Sequence, residues 1–168
     1  MTRYRLFRAL TIGLLGGFLL MVVIAYLDGA WRFNRKHVRT HPEIKPYMDR
    51  VYKISGGKIS NKIKAGLYIS PKKNKNVIGS CTLSIFPLEY EIDISPLYWA
   101  VANDKERLLL VAHEMRHCVC KEFVHYDDKF QDGCHKSYMS AVTESDKCVN
   151  DHFDDYLTEI SKGCYVSN

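Results

Sequence analysis

The sequence predicts an α+β protein: a mixed sheet packed on one long helix, with a single apolar segment ahead of both. Three observations carry this. Residues 9–27, "ALTIGLLGGFLLMVVIAYL", contain no charged side chain. Between residues 66 and 95, short stretches alternate apolar and polar side chains with the period of a strand. From residue 103 the period becomes helical, and apolar side chains recur every three or four positions.

The chain has 168 residues, enough for one domain, and shows neither a low-complexity tract nor an internal repeat. Its formal charge is +5. Much of that excess precedes residue 40, where Arg3, Arg5, Arg8, Arg32, Arg35, Lys36 and Arg39 face Asp28 alone. The remainder is close to neutral and carries no basic stripe interleaved with aromatics, so no nucleic-acid partner is expected.

As a helix, residues 9–27 would rise about 28 Å, near the thickness of a bilayer core. The following "DGAWRF" places Asp28 at the first small position of a signal-cleavage pattern, which disfavours cleavage. The sequence therefore predicts an uncleaved transmembrane anchor and a single-pass membrane protein. Arginines flank both sides, so the positive-inside rule is nearly balanced. All six cysteines, at 81, 118, 120, 134, 148 and 164, lie beyond the segment. An even count there predicts disulfides and an extracytoplasmic domain, periplasmic or extracellular. Six cysteines allow fifteen pairings, which spacing alone does not resolve. The expected division is a basic tail over 1–8, the anchor over 9–27, a juxtamembrane linker over 28–41 and one domain over 42–168.

Within the domain, Ile44, Tyr47, Met48, Val51 and Tyr52 keep helical spacing, and Gly56-Gly57 marks a turn. "GLYIS" and "GSCTLSIF" read as strands; Cys81, Leu83 and Ile85 share one face. "EYEIDIS" sets Tyr90, Ile92 and Ile94 against Glu91, Asp93 and Ser95, which predicts one buried and one wet face on a candidate edge strand. Asn103 can cap the next helix, with Glu106 completing a capping box. Leu108, Val111, Ala112, Met115 and Val119 form its buried stripe; Leu109, His113, His117 and Cys120 form a neighbouring one. A loop from Glu122 leads to a last helix, with Thr143 as candidate cap, Val149, Phe153, Tyr156 and Ile160 as its apolar face and Gly163 as its stop.

The stretch from His113 to Cys120 reads "HEMRHCVC". Histidines four apart project from one helical face, so both imidazoles can reach one metal ion. Glu114 lies beside the pair, where a carboxylate can take a proton from a metal-activated water. This is the His-Glu-x-x-His pattern of zinc-dependent peptide hydrolysis. An open zinc site needs a third protein ligand. His125 is the candidate, past the predicted helix end; Asp127, Asp128, His135 and Glu144 are the rivals.

Residues 79–139 resemble a family of small bacterial and phage zinc metallopeptidases related to the metzincins. The pieces arrive in order: "GSC", a strand ending "IDIS", Trp99, "DKERLLL", "HEMRHC", "HYDD" and "CHKSYM". The last looks like a Met-turn. The resemblance implies a zincin-like fold with His113, His117 and His125 as zinc ligands and Glu114 as general base. It further implies Met139 as an apolar floor beneath the metal and Tyr138 as an oxyanion stabiliser. A peptide or protein would be the substrate. The chain departs from the family at three places. Cys120 stands at the glycine of the metzincin motif, and the gap to His125 is two residues longer. Arg116 stands where a glycine is common. His135 replaces the proline of the Met-turn segment.

Two other readings compete with a membrane-anchored metallopeptidase. Cys118 and Cys120 could hold a structural zinc as thiolates, which requires free thiols. Alternatively the domain is a catalytically inactive, membrane-tethered binding module of the same fold.

Overall fold

A computed structural model describes residues 16–26, 40–68, 77–85 and 88–164. In chain order the elements are helix α1 (16–26), α2 (Lys45–Ile54), strands β1 (Lys64–Leu67), β2 (Gly79–Ile85) and β3 (Leu88–Ile94), then α3 (Pro96–Val101), α4 (Asp104–Cys120), α5 (Asp146–Asp151) and α6 (Phe153–Lys162). The protein is a small α+β fold with a mixed three-stranded sheet.

The apolar segment does not behave as expected. The tail 1–8, residues 9–15, Leu27 and residues 28–39 lie outside the described residues. No helix among the described residues is long and apolar enough to cross a membrane. The predicted fold class is corrected in this respect, and so is the single-pass, extracytoplasmic placement that rested on the anchor.

The strand order is β1-β3-β2, with β1 parallel and β2 antiparallel to β3. The predicted edge strand is therefore the centre of the sheet, and β2 is an edge. The alternation of β3 is real, since Ile92 and Ile94 are fully buried. Its expected wet face is buried too: Glu91, Asp93 and Ser95 are at most 6% exposed. Neighbours on both sides cover them, and the Thr82 hydroxyl lies 3.3 Å from Asp93 Oδ2. Alternation tells which side chains share a face, whereas the strand's place in the sheet decides whether that face meets water.

The long helix α4 begins where the sequence places it. The Asn103 side chain accepts from the amides of Lys105 and Glu106, and Glu106 Oε2 accepts from the Asn103 amide at 2.7 Å. Leu108, Val111, Ala112 and Met115 are fully buried. Each large apolar side chain so buried contributes about 1.5–3 kcal/mol. The helix packs on β2 and β3 and carries α2, α5 and α6 around it. It ends at Lys121, a non-glycine residue in the left-handed conformation with φ 57°. That residue turns the chain back over the helix.

Ser95 caps α3, a short helix the period analysis does not foresee; Trp99 on it donates to Glu43 at 2.9 Å and meets Tyr47 edge-on. The last helix is two, broken at His152, and Ser145 rather than Thr143 caps the first of them. Gly163 stops the second with φ +76°. Three disulfides join Cys81 to Cys118, Cys120 to Cys164 and Cys134 to Cys148. The first ties β2 to α4, and the second ties the end of α4 to the chain beyond α6. Each contributes on the order of 2–4 kcal/mol by restricting the unfolded chain.

Candidate metal centre

His113 and His117 leave α4 on one face, as the i, i+4 spacing dictates. The loop after Lys121 brings His125 to them. Nitrogens of all three imidazoles lie within 4.8 Å of one another. His117 Nε2 is 2.8 Å from His113 Nε2 and 3.2 Å from His125 Nε2. The edge of a tetrahedron drawn around zinc with nitrogen ligands is about 3.3 Å, so the spacing suits one small cation.

The outward nitrogens settle the tautomers. His113 Nδ1 is 3.0 Å from the Tyr138 carbonyl, and His117 Nδ1 bonds the Glu122 carbonyl. A carbonyl only accepts, so both Nδ1 atoms carry hydrogen while the imidazoles are neutral. Both Nε2 atoms then carry a lone pair and no hydrogen, 2.8 Å apart. Two lone pairs 2.8 Å apart repel unless a cation lies between them, and carbonyl bonds of this kind orient metal-bound histidines.

Burial keeps the pair neutral. It pushes the His113 imidazole down to about 4, against its bond to the Tyr138 carbonyl, and His117 and His125 add to the lowering. Burial also lowers His117. Neutral imidazoles are the metal-binding form. A group depressed on folding takes up its proton later in the native state than in the unfolded chain. The metal-free domain should therefore lose stability as pH falls from about 6.5 through about 4, and hold it above that window. Chemical denaturation at a series of pH values checks this.

Glu114 is 3% exposed and lines the same cleft as the three histidines. The cleft encloses about 560 Å³ and runs between β2, at Gly79, Ser80 and Cys81, and the segment 140–144. Gly79 explains how Glu114 fits. A Cβ at that position would lie 2.5 Å from Glu114 Oε1 and 2.9 Å from Leu110 Cδ1. A side chain at this position would push the Glu114 carboxylate and the Leu110 methyl aside. "GSC" marks this glycine in the sequence, but the reason for it is a tertiary contact.

The other expected residues are placed as follows. Met139 is fully buried in the turn that presents the Tyr138 carbonyl. The Tyr138 hydroxyl, expected near the metal, accepts from Arg116 Nη1 at 3.0 Å; the same residue meets His113 through its backbone. His135 and Glu144 bond each other, which sets both apart from the triad. Asp127 and Asp128 are exposed.

All six cysteines are disulfide-bonded, so Cys118 and Cys120 offer no thiolate and the structural-zinc alternative is corrected. Two further groups, Asp132–Cys134–His152 and Cys134–Glu144–Cys148, fail for the same reason, because Cys134 pairs with Cys148. Sequence reasoning missed the two carbonyl partners, since any residue supplies a carbonyl.

Compared with protein-family models, curated proteins and solved structures, the chain matches none. The resemblance of residues 79–139 to small zinc metallopeptidases rests on those residues alone.

Proposed function

We propose that this protein is a zinc-dependent metallopeptidase. The observation that carries the reading is the pair of Nε2 lone pairs held 2.8 Å apart by carbonyl-bound tautomers, with His125 alongside. Three imidazoles form a donor set suited to zinc with an open fourth position. Bound there, zinc supplies Lewis acidity, which brings the ionisation of a water to about pH 7 and polarises a carbonyl.

The chain's own residues supply the rest. Glu114, adjacent to His113 on α4, is the base that accepts the water's proton and returns it to the leaving amine. The outer edge of β2 borders the cleft, and its backbone groups can pair with an extended peptide. Gly79 lets that edge and Glu114 share the space. Gly79→Ala is expected to keep its zinc and lower kcat on a peptide roughly tenfold to a hundredfold by displacing the carboxylate. Metal content and turnover measured on one sample check it.

The test of the whole reading is elemental analysis of the purified chain together with hydrolysis of an unstructured protein. The expected result is one zinc per chain, no reactive thiols, and cleavage abolished by a chelator and restored by zinc. Absence of zinc in the oxidised, folded protein overturns the reading. One zinc without cleavage of any peptide in a diverse library favours a binding module instead.

A further inference from the structure

Arg116 is among the largest fully buried side chains of the protein, and an isolated guanidinium is costly to bury. Its partners explain why it is tolerated. Nε donates to Glu122 Oε2 at 2.7 Å, and Nη1 donates to the Tyr138 hydroxyl at 3.0 Å, with Glu159 Oε1 at 3.4 Å. The guanidinium also lies over the Tyr138 ring, 5.5 Å from its centroid.

Two of these partners are the residues whose carbonyls hold the metal-site histidines. Glu122 offers its side chain to Arg116 and its backbone oxygen to His117 Nδ1. Tyr138 offers its hydroxyl to Arg116 and its backbone oxygen to His113 Nδ1. Each is pinned again by a neighbour. Tyr126 donates its hydroxyl to Glu122 Oε1, and Glu159 accepts from the Tyr138 amide at 3.0 Å and the Ser137 hydroxyl at 2.7 Å.

We infer that Arg116 is a positioning residue for the metal centre: one buried guanidinium sets the two carbonyls that orient His113 and His117. This rests on the triad's being a metal site. The planar fork is what the task needs, because it bonds a carboxylate through Nε and a phenol through Nη1 in fixed relative directions. A lysine keeps the charge but carries its three donors on one nitrogen, and it cannot hold both partners in that arrangement. Displacing the direct hydrogen-bond partners of metal-binding histidines, here the two carbonyls that Arg116 sets, typically costs tenfold to a hundredfold in metal affinity.

The experiment titrates cobalt(II) into the metal-free, oxidised protein, reading the dissociation constant and the visible ligand-field spectrum, with the melting temperature of the metal-free form measured beside them. Arg116→Lys and Glu122→Gln are compared with the unaltered chain. Glu122→Gln keeps the shape and the backbone carbonyl while weakening the bond to Arg116, so it stands in should the lysine variant fail to fold. The expected result is cobalt affinity about tenfold to a hundredfold weaker in whichever variants fold, with an altered spectrum. Unchanged affinity and spectrum, with only the melting temperature lowered, reduce Arg116 to a packing role and overturn the inference. If the unaltered chain itself takes up no cobalt, the metal-site reading fails first and the inference with it.

Discussion

Glu114→Gln is expected to retain one zinc per chain and to lose peptide hydrolysis by about a hundredfold to ten-thousandfold, the range typical of a general acid–base group. The amide has nearly the volume of the carboxylate, so the contact with Gly79 survives. The three imidazoles are untouched, because Glu114 is not among the grouped donor atoms. What disappears is the acceptor for the water's proton. The measurement is kcat on a defined peptide with zinc content determined on the same sample. Loss of zinc along with activity would show Glu114 to be a ligand rather than a base. Full activity would remove it from the mechanism.

His125→Ala is expected to weaken zinc binding at least about a hundredfold while the oxidised domain stays folded, since an open zinc site holds its ion with only three protein ligands. The side chain is exposed, so its truncation leaves no core cavity. Its Nε2 is 3.2 Å from His117 Nε2, a distance reached only because the chain turns back at Lys121. A competition titration against a chromophoric chelator reads the effect. If affinity is retained in full, the third ligand is another group. Glu144→Gln is then the next variant, since Glu144 also lines the cleft, although its carboxylate is bonded to His135.

The resemblance to metzincin-related peptidases departs at residues with visible structural duties. Cys120 occupies the position of the usual glycine and is joined to Cys164. Lys121 takes the left-handed conformation in its stead, and the longer path to His125 begins there. Arg116, which replaces another common glycine, is buried in the network that bonds Glu122 and Tyr138. None of these changes displaces His113, Glu114 or His117 from the face of α4 or from the cleft.

The sequence by itself determined what depends on near neighbours along the chain. The capping box at Asn103, the common face of His113 and His117 and the helical turns of α4 all span four residues or fewer, and helix geometry dictates them. The pairing of apolar positions in β3 was legible for the same reason. Only the tertiary structure decided what depends on distant contacts. It made β3 central and β2 the edge, and it chose one set of disulfides among fifteen. His125 joined the triad, Gly79 made room for Glu114 and two carbonyls fixed the imidazoles by the same kind of choice. A side chain's direction follows from its own backbone, but its partner arrives from elsewhere, and hydrophobic burial and hydrogen bonding select that partner only when the whole chain packs.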